Sequence, residues 1–517
     1  MLLLLYHRCD SPSVRILYRI GQIAVPWVGI LCPDKMEQAA MRTYALSALA
    51  GLVGLAAAAC GAPPAKLVAP PPISPSTAIV RATLWDGTGG APVANAVTVV
   101  RGDRILCAGA AGECAVPQGA RVIDAHGQYL IPGLIDSHVH LLFLQNGSAR
   151  EDLGLDLRDL LAQGITTVRD MGTSPAALLA RVPGFEAAPR VYAMQLVAGR
   201  RFFYPAMRQM RTERGVELRQ APALTMQWLG WTPILFERGD EPDSVIAQAR
   251  RAGAMGIKLY AQLDSVSIRR LTDAAHRAGM PVWGHAWPQP ASVGEETRAG
   301  MDGVVHAAGM VGELLTPDER DTLVNDGALQ ATTARIATAE SADDPRILAT
   351  LDSMATHGVM FEPTLDATRH SVASYDARVR HVPSIQEDYV RAAAAFGMEV
   401  TREAVKRGVR ISAGTDHVAY GPVGDRASLL DELRLYVDSI GLSPTAALLT
   451  ATRDAARAIG GAPGRQVGTI VAGHYADLVL VSKNPLESID NLEAVEWVMR
   501  GGKIWRPGQL RSGIAMR

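Results

Sequence analysis

The sequence predicts an α/β fold, a (β/α)8 barrel with a composite β-sandwich formed from both chain ends. Eight short apolar or β-rich runs lie between residues 131 and 464, and helix-like stretches separate most of them. Segments in which apolar and polar residues alternate occur on both sides of this region. The chain has 517 residues, 48% of them hydrophobic, so a large domain and a smaller one can each bury a core.

A signal-like segment precedes the predicted fold. A positive charge at Arg42, an unbroken run of small and apolar residues from Ala45 to Ala59, and Cys60 directly afterwards are typical of a secretory signal. The segment resembles a bacterial lipoprotein signal, in which the Cys becomes the lipidated first residue. We therefore predict an exported protein of the cell envelope or periplasm, whose contact with the membrane is a lipid at Cys60.

Two alternatives to lipidation stay open. Ala57 stands where lipoprotein signals more often have Leu, so cleavage without lipid is one alternative, and a buried helix is the other.

The residues before Met41 show no clear period, and we interpret Met41 as the true start. Residues 1–60 are thus predicted as leader and signal peptide, and residues 61–77, which are rich in Pro, as a tether.

Strand-like segments flank the predicted barrel. The runs AIVRATLWDG, AVTVVRGDRILCAG and RVIDAHGQYLIPG alternate in polarity and break at Gly or Asp, and GHYADLVLVSK and AVEWVMRGGKIW have the same texture. We therefore assign residues 78–130 and 465–517 to the β-sandwich and residues 131–464 to the barrel. Cys107 and Cys114 lie in the sandwich, where they either pair across a short loop or remain two packed thiols.

Three stretches between the predicted barrel strands have the period of amphipathic helices. In SVIAQARRAGAMG, SIRRLTDAAHRAGM and EDYVRAAAAFGMEVTREAVKRG, apolar residues recur at three-to-four spacing and Gly follows near the end. The interval 202–242 is longer and contains several aromatic residues. We predict that this interval is a lid or specificity loop.

Polar residues close several of the predicted barrel strands. His138 and His140 lie two residues apart near the end of the first strand, which places both side chains on one face. Four further residues have the same place in later strands: Lys258, His285, His306 and Asp416. Because active sites of such barrels lie at the carboxyl ends of the strands, we expect these side chains to meet and to bind metal.

The chain is almost electrically balanced. Lys and Arg total 51 and Asp and Glu total 52, which gives a formal net charge of -1 at pH 7. This balance argues against a general electrostatic attraction for nucleic acid or anionic membranes. We therefore expect a small-molecule substrate and no nucleic-acid partner, while formation of a homo-oligomer stays open.

The order of the motifs resembles that of the amidohydrolase superfamily, in the branch that contains imidazolonepropionase-like proteins and metal-dependent dipeptidases. The runs that carry the resemblance are PGLIDSHVHL, GITTVRDMG, IKLY, WGHA, GVVHAAG, SAGTDH and ATRDAARAIGGAPGRQVGTIVAGHYADLVLVSKNPL. It extends from about Ala78 to the C-terminus. The resemblance implies a TIM barrel with a composite β-sandwich and two divalent metal ions, with Zn as the expected metal.

The resemblance also implies a division of the ligands between the two metals. His138, His140 and Asp416 would bind the more buried ion, and His285 and His306 the more exposed one. Many relatives have Glu immediately before the last of these histidines, whereas this chain has Val305.

Two residues would carry the chemistry implied by the resemblance. Lys258 matches a lysine that relatives with paired metals carry as a carbamate, an anionic group whose oxygens can bridge two cations. Asp416 would act as the general base toward the attacking water and then as the general acid toward the leaving nitrogen.

The predicted function is hydrolysis of an amide-type C–N bond, in a dipeptide or N-acyl amino acid, by a metal-bridged hydroxide. Arg200, Arg201, Tyr204 and Tyr260 follow the third and fourth predicted strands and are candidates for contact with a substrate carboxylate. Ordinary surface residues are the alternative for these four. A lactonase or cyclic amide hydrolase is the second hypothesis, and a non-catalytic ligand-binding barrel is the third, although the retained ligand set argues against the third.

Overall fold

The chain divides into two compact units, Met1–Ile73 and Ser74–Arg517. In the first unit, strands β1 (Arg19–Ile20) and β2 (Ile23–Ala24) form an antiparallel pair. The predicted signal, Cys60 and most of the tether lie outside the described residues. Besides these two strands, the computed structural model describes residues 75–142, 153–203, 232–287, 289–322, 336–338, 340–369, 385–418 and 428–512. Among the described residues, the helices lack the combination of length and apolar character needed to cross a bilayer.

The strands of the second unit form two separate sheets. The strands are β3 (Ser76–Leu84), β4 (Val93–Arg101), β5 (Arg104–Ala110), β6 (Arg121–Asp124), β7 (Tyr129–Pro132), β8 (Leu134–His140), β9 (Ile165–Asp170), β10 (Arg190–Ala198), β11 (Ile234–Leu235), β12 (Gly256–Leu259), β13 (Val282–His285), β14 (Gly303–Val305), β15 (Met360–Glu362), β16 (His417–Val418), β17 (Leu478–Val481), β18 (Val495–Arg500) and β19 (Lys503–Trp505).

The first sheet combines strands from both sides of the barrel region. Its path is β19-β18-β17-β7-β3-β4-β5, and β6 pairs with β3. The two contributions join where β17 pairs antiparallel with β7, from Leu478 opposite Pro132 to Val481 opposite Tyr129. Hydrogen bonds therefore join the predicted strand segments from both sides of the barrel region into one mixed sheet. Its division into two packed layers of a sandwich stays a prediction.

Three details of this sheet refine the sequence analysis. Strand β3 begins at Ser76, two residues inside the predicted tether, because Ser76 already pairs with Arg101 of β4. Strand β7 continues to Pro132, past the predicted boundary at residue 130. The structure joins Cys107 and Cys114 in a disulfide with 5.8 Å between their Cα atoms, which is the paired alternative of the two left open.

The second sheet is a curled, parallel sheet. Its path is β15-β14-β13-β12-β10-β9-β8-β16, with β11 beside β10. Strands β8, β9, β10, β12, β13, β14 and β15 coincide in order with the first seven predicted runs. The short strand β11 was not predicted, because a two-residue strand has no period that a sequence can show.

The eighth predicted run, VRISAGTDH, forms a regular strand only at its end, in β16. The segment before β16 nevertheless bonds to strands on both sides. The N–H of Phe361 donates to the carbonyl of Arg410 at 2.9 Å, and the N–H of Ser137 donates to the carbonyl of Ala413 at 3.1 Å. This segment therefore lies between β15 and β8.

Helices follow most strands of the second sheet, and the three predicted helical stretches correspond to α3, α4 and α8. The helices are α1 (Leu153–Ala162), α2 (Pro175–Arg181), α3 (Pro242–Arg251), α4 (Ser265–Arg277), α5 (Val293–Arg298), α6 (Pro317–Thr322), α7 (Pro345–His357), α8 (Ile385–Lys406), α9 (Leu429–Leu435), α10 (Pro444–Thr450), α11 (Arg453–Ile459), α12 (Gly461–Gly464) and α13 (Pro507–Arg511). Short helices of other types lie at Val182–Gly184, Arg200–Phe203, Ala307–Leu314, Tyr436–Ile440 and Ile489–Glu493.

The largest apolar cluster packs these helices against the second sheet. It contains Leu157 of α1, Val168 of β9, Leu351 of α7 and Val400 of α8, all with no exposed surface. The apolar residues of α1 recur three to four positions apart, so one face of the helix is buried. This packing supports the sheet from outside and leaves the carboxyl ends of its strands to form the site.

We predict that Leu157→Ala lowers the free energy of unfolding by about 2–5 kcal/mol, since it removes a fully buried side chain from this cluster. Chemical denaturation of the full chain measures the change. The matched control is Val266→Ala in α4, whose side chain is 44% exposed and should change stability by less than about 0.5 kcal/mol. Equal effects of the two substitutions would show that α1 is not packed as described.

Candidate metal centre

The structure brings the predicted ligands to one end of the parallel sheet. His138 and His140 lie at the end of β8, and His285 is the last residue of β13. His306 directly follows β14, and Asp416 directly precedes β16. Strand β12 contributes the sixth predicted residue, Lys258.

The side chains of five of these residues form a compact group. The centre of the His138 ring lies 5.3 Å from the centre of the His140 ring and 5.0 Å from that of the His306 ring. The ring centres of His285 and His306 are 4.4 Å apart. The Nε2 atoms of His138 and His140 lie 3.3 and 3.1 Å from Oδ1 of Asp416. One ligand atom each from His138, His306 and Asp416 falls within 4.8 Å of the others. This spacing allows several of them to bind one ion.

Three buried nitrogens at this site have no hydrogen-bond partner within the described part of the chain. They are Nε2 of His138, Nδ1 of His140 and Nζ of Lys258. Buried polar atoms are nearly always satisfied, so such a group needs an explanation. Imidazole nitrogens beside a carboxylate are a donor set that Zn²⁺ and similar ions prefer. The residues present therefore fit a divalent metal.

Burial keeps three histidines of the site, His138, His285 and His306, in their neutral form. It lowers the pKa of His138 and of His306 well below the ordinary value, and it lowers the pKa of His285 to about 3, with the nearby Lys258 acting in the same direction on His285. A neutral imidazole keeps the lone pair that binds a metal, whereas an imidazolium does not.

The two other titratable groups are shifted in ways that suit catalysis. Burial lowers the pKa of Lys258 to about 7, against the opposing charges of Glu362 and Asp416. For Asp416, burial acts to raise the pKa, but the interactions of the carboxylate with His138 and His140, among them a hydrogen bond from His140, outweigh burial, and the pKa lies below its ordinary value. Asp416 is therefore a carboxylate at neutral pH.

His306 is oriented by a hydroxyl group rather than by the residue before it. The residue before His306 is Val305, which packs in an apolar cluster with Trp283. Val305 therefore offers His306 no polar contact. The Oγ1 of Thr364 donates to the carbonyl of Pro363 at 2.8 Å, which commits its only proton. It therefore accepts from Nδ1 of His306 at 2.8 Å, and the lone pair of His306 lies on Nε2.

We predict that Thr364→Val weakens the affinity for Zn²⁺ about tenfold, since the isosteric side chain cannot accept from His306 and the ring loses its fixed orientation. Titration of metal-stripped protein in competition with a chelator measures the affinity. Thr356→Val is the matched control, because the hydroxyl of Thr356 bonds only to a carbonyl of its own helix, α7. Equal affinities for the two variants would mean that the hydroxyl of Thr364 does not orient His306.

A profile described as the Amidohydrolase family matches residues 129–505, which include every ligand of this site. The chain belongs to the amidohydrolase family.

Individual relatives agree with this assignment. The amidohydrolase chain is 27% identical to the imidazolonepropionase of Caulobacter vibrioides (strain NA1000 / CB15N) over 229 aligned residues. The alignment covers 40% of this chain and 57% of that one. It thus spans somewhat more than half the length of this relative. A crystal structure of an amidohydrolase aligns with a TM-score of 0.65 at 22% identity, over 83% of this chain and 99% of that one. A prolidase complexed with N-methylphosphonate-L-proline aligns with a TM-score of 0.62 at 21% identity, with the same coverage. At such identities the solved structures show a shared fold.

Sequence reasoning missed two charged residues next to His138 in this amidohydrolase. Oε1 of Glu362, at the end of β15, lies 2.9 Å from Nδ1 of His138. Its Oε2 lies 3.0 Å from Nη2 of Arg169, which belongs to β9. Both stand within predicted strands, GVMFEP and GITTVRD, and a charge inside an otherwise apolar strand was the signal that could have identified them.

Asp136 is a third residue that the sequence analysis did not single out. Its carboxylate accepts from the N–H of His138 at 3.1 Å and from the N–H and hydroxyl of Thr415 at 3.1 and 2.7 Å. Burial raises the pKa of Asp136 to about 7, against the effect of the hydroxyl bond. These bonds tie β8 to the residue before Asp416, and so hold ligands of two strands in register.

The two predicted substrate-binding arginines lie in the turn after β10. The guanidinium of Arg200 lies 3.8 Å from a carboxylate oxygen of Glu237, and that of Arg201 lies 3.3 Å from Asp321. The side chains of both arginines are largely exposed. Their described partners are thus surface carboxylates rather than residues of the metal centre.

Tyr260 is the predicted substrate-binding residue that the structure places beside the ligands. It directly follows β12, and its ring lies 4.8 Å from the ring of His285. Burial raises the pKa of its phenol, and the charge of Asp416 adds to this, so the hydroxyl stays protonated. Tyr204, the other predicted tyrosine, lies outside the described residues.

Proposed function

We propose that this amidohydrolase hydrolyses an amide-type C–N bond in a dipeptide or N-acyl amino acid with the help of two divalent metal ions, Zn²⁺ in the first instance. The observation that carries the proposal is the meeting of His138, His140 and His306 around Asp416, with nitrogens that lack partners among the described residues. The substrate class is supported by the prolidase among the similar structures.

The ligands divide between the two ions as their positions suggest. His138 and His140 each approach the same oxygen of Asp416, so these three would hold one ion. His285 and His306, whose rings are in contact, would hold the other. Metals held by these residues would lower the pKa of a bound water molecule and would polarise the substrate carbonyl.

Lys258 suits a bridging role only after modification, because an ammonium group has no lone pair for a metal. With its pKa near 7 and its nitrogen buried, much of Lys258 is a neutral amine at neutral pH. The amine can attack carbon dioxide, form a C–N bond and release a proton, which leaves a carbamate anion. Such a carbamate would add an anionic oxygen ligand to the residues that would hold the metals.

Asp416 performs the proton transfers of the proposed reaction. As a carboxylate, it accepts a proton from the attacking water while the new C–O bond forms at the carbonyl carbon. It then returns the proton to the nitrogen as the C–N bond breaks, so that the amine leaves uncharged.

Tyr260 is the residue we propose for contact with the substrate, since its ring lies 4.8 Å from that of His285 and a protonated phenol can donate to a carbonyl or carboxylate. Arg200, Arg201 and Tyr204 remain proposed contacts for a substrate carboxylate. For the two arginines this would require exchange of their present carboxylate partners for the substrate.

We also propose the finer architecture and the location. A closed (β/α)8 barrel is supported by the bonds of residues 410–413 to both neighbouring strands. A β-sandwich beside it is supported by the composite sheet. Export, with cleavage and lipidation at Cys60, rests on the sequence pattern, and the disulfide between Cys107 and Cys114 accords with an oxidising compartment.

A substrate panel tests the proposed function. Metal-loaded and metal-stripped protein is assayed with dipeptides, including Xaa-Pro peptides, with N-acyl amino acids, and with lactones and cyclic amides. We expect the protein to hydrolyse a dipeptide or an N-acyl amino acid. Removal of the metal should abolish this turnover, and addition of Zn²⁺ should restore it. The similarity to an imidazolonepropionase is the reason to include cyclic amides. Turnover of rings alone would favour the lactonase or cyclic amide hydrolase, and metal binding with no turnover would favour a non-catalytic binding barrel.

A further inference from the structure

The carboxylate of Glu362 is surrounded by hydrogen-bonding groups beneath the metal centre. The side chain has no exposed surface. Its Oε1 lies 2.9 Å from Nδ1 of His138. Its Oε2 contacts the hydroxyl of Ser137, and it accepts from the hydroxyl of Ser412 at 3.1 Å and from Nη2 of Arg169 at 3.0 Å. Both carboxylate oxygens therefore have hydrogen-bond partners, one at Oε1 and three at Oε2.

The partner Arg169 is itself held rigidly. Its Nε donates to the carbonyl of Ser137 at 2.8 Å, its Nη1 donates to the carbonyl of Ala458 at 2.6 Å, and its guanidinium lies 4.0 Å from the ring of Trp283. A buried arginine with these fixed contacts presents one remaining edge to Glu362. The ion pair thus has a single available geometry, and its carboxylate cannot rotate away from His138.

The contacts of Glu362 also cross the least regular part of the second sheet. Glu362 belongs to β15 and Ser137 to β8, while Ser412 belongs to the segment between those strands that forms no regular ladder. The side-chain bonds of Glu362 add to the backbone bonds that this segment makes with the strands on both sides. The position of His138 relative to Asp416 therefore depends on this carboxylate.

We propose that Glu362, anchored by Arg169, is the positioning residue that fixes the ring orientation and tautomer of His138 for metal binding. The inference rests on the proposed metal-dependent function. A carboxylate paired with Arg169 can only accept, so Nδ1 of His138 carries the proton and its lone pair lies on Nε2. This atom faces Asp416 and has no hydrogen-bond partner among the described residues. A carboxylate behind a ligating imidazole also raises its basicity toward the metal.

Glu362→Gln tests this role in the full-length, metal-stripped protein. The amide has the shape of the carboxylate, but its NH₂ group must face either His138 or Arg169, both of which are donors. We expect the affinity for Zn²⁺, measured in competition with a chelator, to fall about 10- to 100-fold. The absorption spectrum of the Co²⁺-loaded variant should also change, because one ligand is misoriented.

The matched control is Asp477→Asn. Asp477 is a buried carboxylate that pairs with Arg190 at 2.6 and 3.2 Å, and it links β17 to the start of β10. Its loss should reduce stability as the loss of any buried ion pair does. The affinity for Zn²⁺ and the Co²⁺ spectrum should stay those of the native chain, which separates positioning from general destabilisation.

The outcomes distinguish the inference from the function on which it rests. Native affinity and spectrum in a folded Glu362→Gln variant would overturn the positioning role. If that variant does not fold, Ser412→Ala takes its place, and we expect its affinity for Zn²⁺ to fall about 2- to 10-fold. An unchanged affinity in Ser412→Ala would likewise overturn the positioning role. If the native protein binds metal but hydrolyses nothing, the proposed function fails while the affinities still decide the role of Glu362. If the native protein binds no divalent metal, both fail.

Discussion

Asp416→Asn is expected to leave the fold and most metal binding intact and to reduce kcat by about 10²- to 10⁴-fold. The amide keeps one oxygen near the Nε2 atoms of His138 and His140, which lie 3.3 and 3.1 Å from Oδ1 in the native chain. It cannot accept a proton from water at neutral pH, so the attacking nucleophile is not generated and the leaving nitrogen is not protonated.

The measurement is steady-state kinetics with the best substrate of the panel, together with the metal content of each variant. Asp273→Asn is the matched control, because it makes the same chemical change at an exposed position of α4. Its kcat should equal that of the native enzyme. A kcat of Asp416→Asn within a few-fold of native, at equal metal content, would remove Asp416 from the catalytic role.

Lys258→Ala is expected to lose one or both metal ions and to reduce kcat by about 10²- to 10³-fold, an effect on the scale of removing an electrostatic group from an active site. The reason is that the proposed carbamate at Lys258 would contribute a negative charge to the metal site. A short-chain carboxylic acid in solution should partly restore metal content and turnover, since it can enter the space that the side chain vacates.

Lys258→Met separates the loss of a ligand from the loss of buried volume. The side chain of Lys258 is buried, and Met fills similar space without an amine, so it should be more stable than the Ala variant yet equally poor in metal. A structural lysine would behave in the opposite way, with altered stability and unchanged metal stoichiometry. One ion per metal-replete native chain, with an unmodified Lys258, would replace the paired site by a mononuclear site with Asp416 as base.

The positions of the predicted metal ligands could be anticipated because they follow from local geometry. In a strand, residues two apart share a face, so His138 and His140 had to point in the same direction. The carboxyl ends of parallel strands meet at one end of a barrel, so residues as distant as His138 and Asp416 could be expected to converge. Their contact through Oδ1 of Asp416 agrees with that expectation.

The supports behind those ligands were not predictable in the same way. Glu362 lies 224 positions from His138 in the chain, and no periodic pattern relates the two. Thr364 contacts His306 across 58 positions, from a loop whose backbone conformation at Thr364, φ +52°, is unusual for a β-branched residue. Such contacts depend on how loops and strands meet, which local propensity does not encode.

Arg200 and Arg201 are residues whose position could be predicted from the sequence but whose partners could not. Their place after the third predicted strand suggested a role at the mouth of the site, and they do lie after β10. Their charges, however, are met by Glu237 and Asp321, and only the folded chain could reveal which carboxylates come near them. A long, flexible side chain does not have its direction set by its position in a strand or turn.

The order of the strands and the candidate ligands at their carboxyl ends could be read from the amino-acid sequence, because each depends on short-range periodicity or on the nature of a side chain. The folded chain alone revealed which groups orient the ligands, how the irregular segment before Asp416 is held, and which state of charge burial imposes. These depend on distances between atoms remote in sequence and on exclusion of water. Lys258 shows the difference: the sequence supplies an ordinary amine, and burial lowers its pKa to about 7.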